Sequence, residues 1–330
     1  MMRDNRIEKR SILWYIGATV LVVALVAVAF VLLEAFEKKR TALPETVFGE
    51  ETLYYEGKEY ALRKNVETFL ILGLDKFSGA VNDSYNNDQQ ADFLLLLVFD
   101  NDTKTCTALH INRDTMATMN VLGVAGQKVD TVQKQIALAH TYGNGQEVSC
   151  RNTAEAVSGL LFGMRINHYM SLKMDAVPRF NDLVGGVEVT VLDDFTGIDE
   201  TLVKGEKVTL RGEQALHYVR TRYGLDDSSN NTRMERQRQY MNALYDKTMQ
   251  CIESDDSFIA TAVLEMAEMM VSDRSVNQLQ ELMEKLSTYT FVEIDAIEGE
   301  TVLGDEYMEF YPSEASLQQI VVNLFYKPKD

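Results

Sequence analysis

The stretch HYVRTRYGLDDSSNNTRMERQRQ, from His217 to Gln239, carries Arg220, Arg222, Arg233, Arg236 and Arg238 in a chain whose formal net charge is -18. Arginines gathered against the prevailing charge can grip an anion, because each guanidinium offers a planar fork of donors that matches phosphate or carboxylate oxygens. The alternative is a set of surface ion pairs with Asp226, Asp227 and Glu235, which lie close in sequence. Thr232 followed by Glu235 is a capping-box pattern and predicts a helix starting at Thr232. Arg233 and Arg236 then fall in the first turn, where an unpaired positive side chain opposes the helix dipole at about 0.3–1 kcal/mol each. A phosphate bound there reverses the sign, since helix amides, dipole and guanidinium forks converge on one anion. At helical spacing Arg233, Arg236, Gln237 and Tyr240 share a face, while Arg238 points elsewhere. Arg220 and Arg222 share a face if the backbone is extended there.

Two carboxylates frame a second constellation. Asp75 ends the apolar run TFLILGLD and Asp92 opens the run DFLLLLVFD, with a loop rich in Asn, Asp and Ser between them. If the runs are antiparallel neighbours, the carboxylates meet at one end of a sheet, where a pair facing phosphates can hold Mg²⁺. The alternative is that each simply begins or ends its strand in solvent. Arg113, in Asn112-Arg113-Asp114 at the end of a third strand, can bind a phosphate or pair with Asp114.

The elements that must position these residues are those of an α/β protein. Near-continuous apolar runs at Thr68–Asp75 and Asp92–Asp100 predict strands covered on both faces, and Thr105–Asn112 a third. Thr52–Leu62 predicts a hairpin around Glu56-Gly57. Helical patterns follow at 131–141, 153–162 and 175–183, alternating with short strands at 169–173 and 187–192. Further helices are expected at 232–253, 257–270 and 275–286, then a strand pair around 291–302, then a closing helix at 313–326. The expected architecture is helices packed on a central mixed sheet.

A chain of 330 residues, 46% hydrophobic, is ample for a buried core. Its acidity argues against nucleic acid as a partner. Cys106, Cys150 and Cys251 lack metal-ligand spacing and are expected as free thiols, with a Cys106–Cys150 bridge the alternative; the four histidines are isolated. Ser11–Leu33 carries no charge and exceeds the about 20 apolar residues that span a bilayer. It is expected to be an uncleaved anchor, with residues 1–10 cytoplasmic, 34–66 a juxtamembrane segment and hairpin, and 67–330 an outward-facing domain.

The ordered segments LGLD, the Asp before a hydrophobic strand, NRDT, NDLVGGVEV, LRGEQALHYVRTR and TRMERQRQ resemble the LytR-CpsA-Psr family of cell-envelope proteins, from about Thr68 to Met249. The resemblance implies an α/β/α sandwich enclosing a hydrophobic tunnel. It implies a membrane-anchored phosphotransferase that moves an anionic glycopolymer, of the teichoic acid or capsular polysaccharide type, from a polyprenyl-pyrophosphate carrier to peptidoglycan. By motif, Asp75 and Asp92 hold Mg²⁺ or Mn²⁺, and Arg113, Arg220, Arg222, Arg233, Arg236 and Gln237 grip the pyrophosphate; Asp75, Asp92, Arg113, Arg220 and Arg222 form the catalytic set.

The chain departs from the family pattern in four places. Gln90 stands where arginine is usual, Phe93 where threonine is, Asn112 where proline is, and Asn230 where aspartate is often found. A lost charge-clamping donor is worth about 2–4 kcal/mol of transition-state stabilisation if nothing replaces it. The alternatives are therefore a non-catalytic sensor or attenuator that binds lipid-linked precursors, or a polyprenyl-pyrophosphate pyrophosphatase.

Overall fold

The computed structural model describes residues 48–76, 87–222, 224–225 and 230–329. The expected membrane anchor at 11–33 lies outside them, and among the described residues no helix is long and apolar enough to cross a membrane. The described chain falls into two units, residues 53–59 being one and residues 48–52 and 60–329 the other. In the first, Glu56 and Gly57 both adopt positive φ, 48° and 77°, which makes the expected tight turn.

In chain order, β1 (Thr52–Tyr55) and β2 (Lys58–Leu62) precede β3 (Val66–Lys76), β4 (Gln89–Asp100), β5 (Thr105–Ile111), β6 (Met116–Leu122) and β7 (Lys128–Gln135). Then come α1 (Glu147–Leu160), β8 (His168–Lys173), α2 (Ala176–Leu183), β9 (Val187–Thr190), β10 (Lys207–Leu210), α3 (Glu213–Arg220) and α4 (Asn230–Ser254). The chain closes with α5 (Phe258–Met266), β11 (Met270–Ser272), α6 (Val276–Leu286), β12 (Thr290–Ala296), β13 (Gly299–Leu303), β14 (Met308–Pro312), α7 (Glu314–Phe325) and β15 (Tyr326–Pro328).

The central sheet has six strands in the order β11-β8-β3-β4-β5-β12. It is mixed: β3 pairs antiparallel with β4 and parallel with β8, and β12 joins β5 in parallel. The apolar runs of β3 and β4 serve two different faces. Leu70, Leu94 and Leu96 are fully buried on one, whereas Ile71, Gly73, Phe93, Leu95, Leu97 and Phe99 on the other line a cavity. On that side α4, α5 and α6 cover the sheet with a gap between, while α1 packs elsewhere, on β6 and β8. The expected α/β fold with a mixed sheet is present.

Four local expectations are corrected. Of residues 131–141 only Ile136–Thr141 are helical, as a 3₁₀ segment; cross-strand pairing with β6 claims Thr131 to Gln135 for the end of β7. The strands near 291–302 do not pair with each other: β12 joins β5, and β13 pairs with β14. Arg220 ends α3 rather than lying in extended backbone. Helix α4 already includes Asn230, two residues before the predicted capping residue. All three cysteines are free thiols, as expected.

Candidate functional site

Asp75 and Gln90 are cross-strand partners near one end of the β3–β4 pair. The ladder slips one residue further in, where Gly73 pairs with Phe93 and Leu74 with Ala91, leaving Asp92 as the extra residue of a bulge. A bulge releases its residue from the ladder and re-aims the side chain. Asp92 is thereby presented to two arginines: Arg113 Nη1 lies 2.5 Å from its Oδ1 and Arg233 Nη1 lies 3.8 Å from its Oδ2. Arg113 also donates from Nη2 to Gln90 Oε1 at 3.0 Å. From α3, Arg220 reaches Asp75 Oδ2 at 2.6 Å, with its own side chain half exposed. Of the arginines that sequence proximity linked to Asp226, Asp227 and Glu235, Arg220 meets Asp75 and Arg233 meets Asp92; Asp226 and Asp227 lie outside the described residues.

Arg233 projects from the start of α4 and is buried. Burial pushes its pKa down to about 10, with Asp92 pulling it back up and Arg113 and Arg222 adding to the fall, so Arg222 belongs to the same cluster. Asp114 is buried beside it; burial raises its pKa while Arg113, Arg233 and Arg222 oppose the rise. Arg113 Nε lies 3.3 Å from Asp114 Oδ1, which also accepts from Gln135 Nε2 at 3.0 Å. Among the described residues, Arg233 Nε is buried without a hydrogen-bond partner, and the 3.3 Å ion-pair contact of Arg113 Nε with Asp114 falls short of a hydrogen bond. Buried guanidinium donors left unpaired in one cluster are costly unless a ligand oxygen completes them.

Arg236 and Gln237 are placed differently from Arg233. The Arg236 side chain is 0% exposed, donates to the carbonyls of Tyr218 and Thr221, and lies 2.7 Å from Asp193 Oδ2. Its guanidinium sits against the rings of Phe195 and Tyr218. This cation completes the carbonyl end of α3, where the helix dipole favours it. Gln237 donates from Nε2 to the carbonyl of Val219 at 3.0 Å. Helical spacing alone put both on the Arg233 face, and it missed α3 lying alongside as their partner.

The apolar cavity has a volume of about 510 Å³, within the usual range for small-molecule sites. Its lining includes Gly73, Phe93, Val219 and Gln237, which are neighbours in sequence of Asp75, Asp92, Arg220 and Arg233 or lie one turn away. The polar cluster therefore stands at one end of the cavity. Cys106, Tyr289 and Met283 line it toward the opposite end of the sheet. From Phe93 to Phe99 the lining follows β4 for about 20 Å at strand rise.

A divalent cation fits the donor set in a limited sense. Among the described residues no group of three or more His, Cys, Asp or Glu could hold a metal. Mg²⁺ needs less, since it takes one or two carboxylates and fills its remaining positions with water and substrate phosphate oxygens. Asp75 and Asp92 offer two carboxylates near one end of the β3–β4 pair, each also ion-paired to an arginine.

Sequence reasoning did not anticipate that Asn112 and Asn230 touch. Asn230 Nδ2 donates to Asn112 Oδ1 at 2.6 Å, and both side chains are buried. Each stood out only as a departure from the family pattern, and no local signal joins positions 118 residues apart.

The LytR_cpsA_psr family model matches residues 36–325. The polyisoprenyl-teichoic acid–peptidoglycan teichoic acid transferase TagU of Enterococcus faecalis is 28% identical over 261 residues, 77% of this chain and 78% of its own length. The cell wall biosynthesis protein LcpA of Corynebacterium glutamicum is 26% identical over 208 residues, 54% of this chain and 39% of its own. Among solved structures, TagT bound to LIIa-WTA matches 84% of this chain and 97% of its own at 24% identity with a TM-score of 0.58. TagV of B. subtilis matches 80% and 97% at 23% identity, also with a TM-score of 0.58. At these identities the two structures establish likeness of fold.

Proposed function

This chain belongs to the LytR_cpsA_psr family, and from that premise we propose that it is a phosphotransferase of the cell envelope. It moves an anionic glycopolymer from a polyprenyl-pyrophosphate carrier to peptidoglycan, outside a membrane that residues 11–33 span. The observation that carries the reading is one site of two characters: a cluster of arginines, with the buried Arg233 Nε lacking a hydrogen-bond partner, at the end of a 510 Å³ apolar cavity. A polyprenyl pyrophosphate has the same two characters in the same order.

In this reading the prenyl chain fills the cavity and the pyrophosphate lies among Arg113, Arg220, Arg222 and Arg233. A hydroxyl of the acceptor sugar attacks the phosphorus nearest the glycan, and the bond to the bridging oxygen breaks to release polyprenyl phosphate. The guanidiniums neutralise charge on the equatorial and leaving oxygens, already oriented by Asp92, Asp75 and Gln90. Closure of the apolar lining around the prenyl chain excludes water and favours transfer over hydrolysis. Mg²⁺ or Mn²⁺ held by Asp75 and Asp92 would supply further charge neutralisation on the pyrophosphate oxygens. Arg236 and Gln237 act at one remove, holding α3 and so the Arg220–Arg222 segment against α4.

The test is transfer of a short saccharide from a polyprenyl-pyrophosphate carrier to a chitin or peptidoglycan fragment, with and without EDTA. Metal-dependent transfer abolished in Arg222→Ala is expected. Tight binding of the donor without turnover contradicts the enzyme and favours an attenuator; release of the saccharide phosphate to water favours a pyrophosphatase.

A further inference from the structure

Asn112 and Asn230 stand in a short chain of hydrogen bonds that ends on Arg233. The backbone N–H of Asp114 donates to Asn112 Oδ1 at 2.9 Å, Asn230 Nδ2 donates to the same oxygen at 2.6 Å, and Arg233 Nη2 donates to Asn230 Oδ1 at 2.5 Å. Both amide orientations are dictated by the ends of this chain. A backbone N–H and a guanidinium can only donate, so each asparagine must turn its oxygen toward one of them. The group left facing Asn112 Oδ1 is the Asn230 amide nitrogen.

A carboxylate at position 230 cannot play that part. It has no proton to donate and would set a second acceptor against Asn112 Oδ1 in a buried place. It would also put a full negative charge beside Arg233, whose ion-pair contact with Asp92 is long, at 3.8 Å. We propose that Asn112 and Asn230 are a coupled pair of positioning residues that holds Arg233 through a neutral acceptor and so leaves its charge to the anionic ligand. This rests on reading the cluster as a pyrophosphate site. The two departures from the family pattern then count as one change: an acceptor at 112 requires a donor at 230.

Inorganic pyrophosphate affinity and thermal midpoint are measured on the full chain for wild type, Asn230→Asp, Asn112→Ala and the double variant. Asn230→Asp is expected to weaken pyrophosphate about tenfold in both backgrounds, because the added charge is independent of residue 112. Its midpoint is expected to fall by about 3 °C in the wild-type background and by less than about 1 °C in the Asn112→Ala background, where the clashing acceptor is gone. Equal midpoint losses in the two backgrounds overturn the coupling, and unchanged pyrophosphate affinity in Asn230→Asp overturns the role in charge. A wild type that does not bind pyrophosphate overturns the anion site and the charge role together, while the midpoints still judge the pair by themselves.

Discussion

Arg233 and Arg236 are one helical turn apart and do different work. Arg233 faces the carboxylate cluster, 3.8 Å from Asp92, whereas Arg236 is sealed against Asp193 and the carbonyls at the end of α3. Removing Arg236 strands a nearly buried carboxylate and opens a helix end, so Arg236→Ala should destabilise the fold by about 3–5 kcal/mol in urea unfolding. Arg220 is 50% exposed, and Arg220→Ala should leave stability within about 1 kcal/mol while weakening pyrophosphate binding. Comparable stability losses in the two variants would contradict the division of roles. The residue types of the site were legible in the sequence: five arginines against a charge of -18 and two aspartates at strand ends. Their assignment was not, because which carbonyl or carboxylate an arginine meets depends on elements distant in sequence, such as Asp193 for Arg236.

At the scale of elements, the Asp92 bulge is what turns the end of a strand into a site. It depends on Gly73, where a Cβ would sit 2.9 Å from Phe93 Cβ and 3.4 Å from Met174 Cε. Phe93 Cβ is fixed to the backbone and cannot swing aside. Gly73→Ala should therefore force the two strands apart, at a cost of about 1–3 kcal/mol in chemical unfolding. Wild-type stability in that variant would show that β3 and β4 are not held so closely. Strands β3, β4 and β5 were readable because apolar runs of that length bounded by Asp and Asn have few other uses. Segment 131–141 was misread because its spacing fits a helix as well as a strand, and only the partner strand β6 decides. The bulge left no trace in the sequence, since it is a property of register between two chains of side groups.

Across the whole molecule, burial of two histidines makes stability depend on pH. Burial, reinforced by Arg238 and Arg233, drives His110 down to about 3; burial drives His140 down to about 4, partly offset by the Gln89 carbonyl. In the unfolded chain both titrate near about 6.5, so between that value and about 4 the unfolded state binds more protons. Stability is fully present above about 6.5 and falls with pH below it, by up to about 1.4 kcal/mol per unit for each histidine. Urea unfolding at successive pH values should show this slope, and His140→Gln should halve it; a flat profile would contradict the buried, neutral state.

The proposed function requires that the apolar cavity and the arginine cluster form one site for one amphiphilic anion. Apolar strands of this kind fit a plain core as well as a cavity, and the structure shows the gap beside them. The direct test compares the affinity of the full chain for a short polyprenyl pyrophosphate and for inorganic pyrophosphate, in wild type, Ala108→Phe and Arg233→Ala. Wild type should prefer the lipid by at least about 100-fold, which needs burial of only about 110 Å² of apolar surface. Ala108→Phe, which places a ring in the cavity, should erase that preference, and Arg233→Ala should weaken both ligands. Equal affinity of wild type for the two ligands, or a lipid preference untouched by Ala108→Phe, would contradict the account.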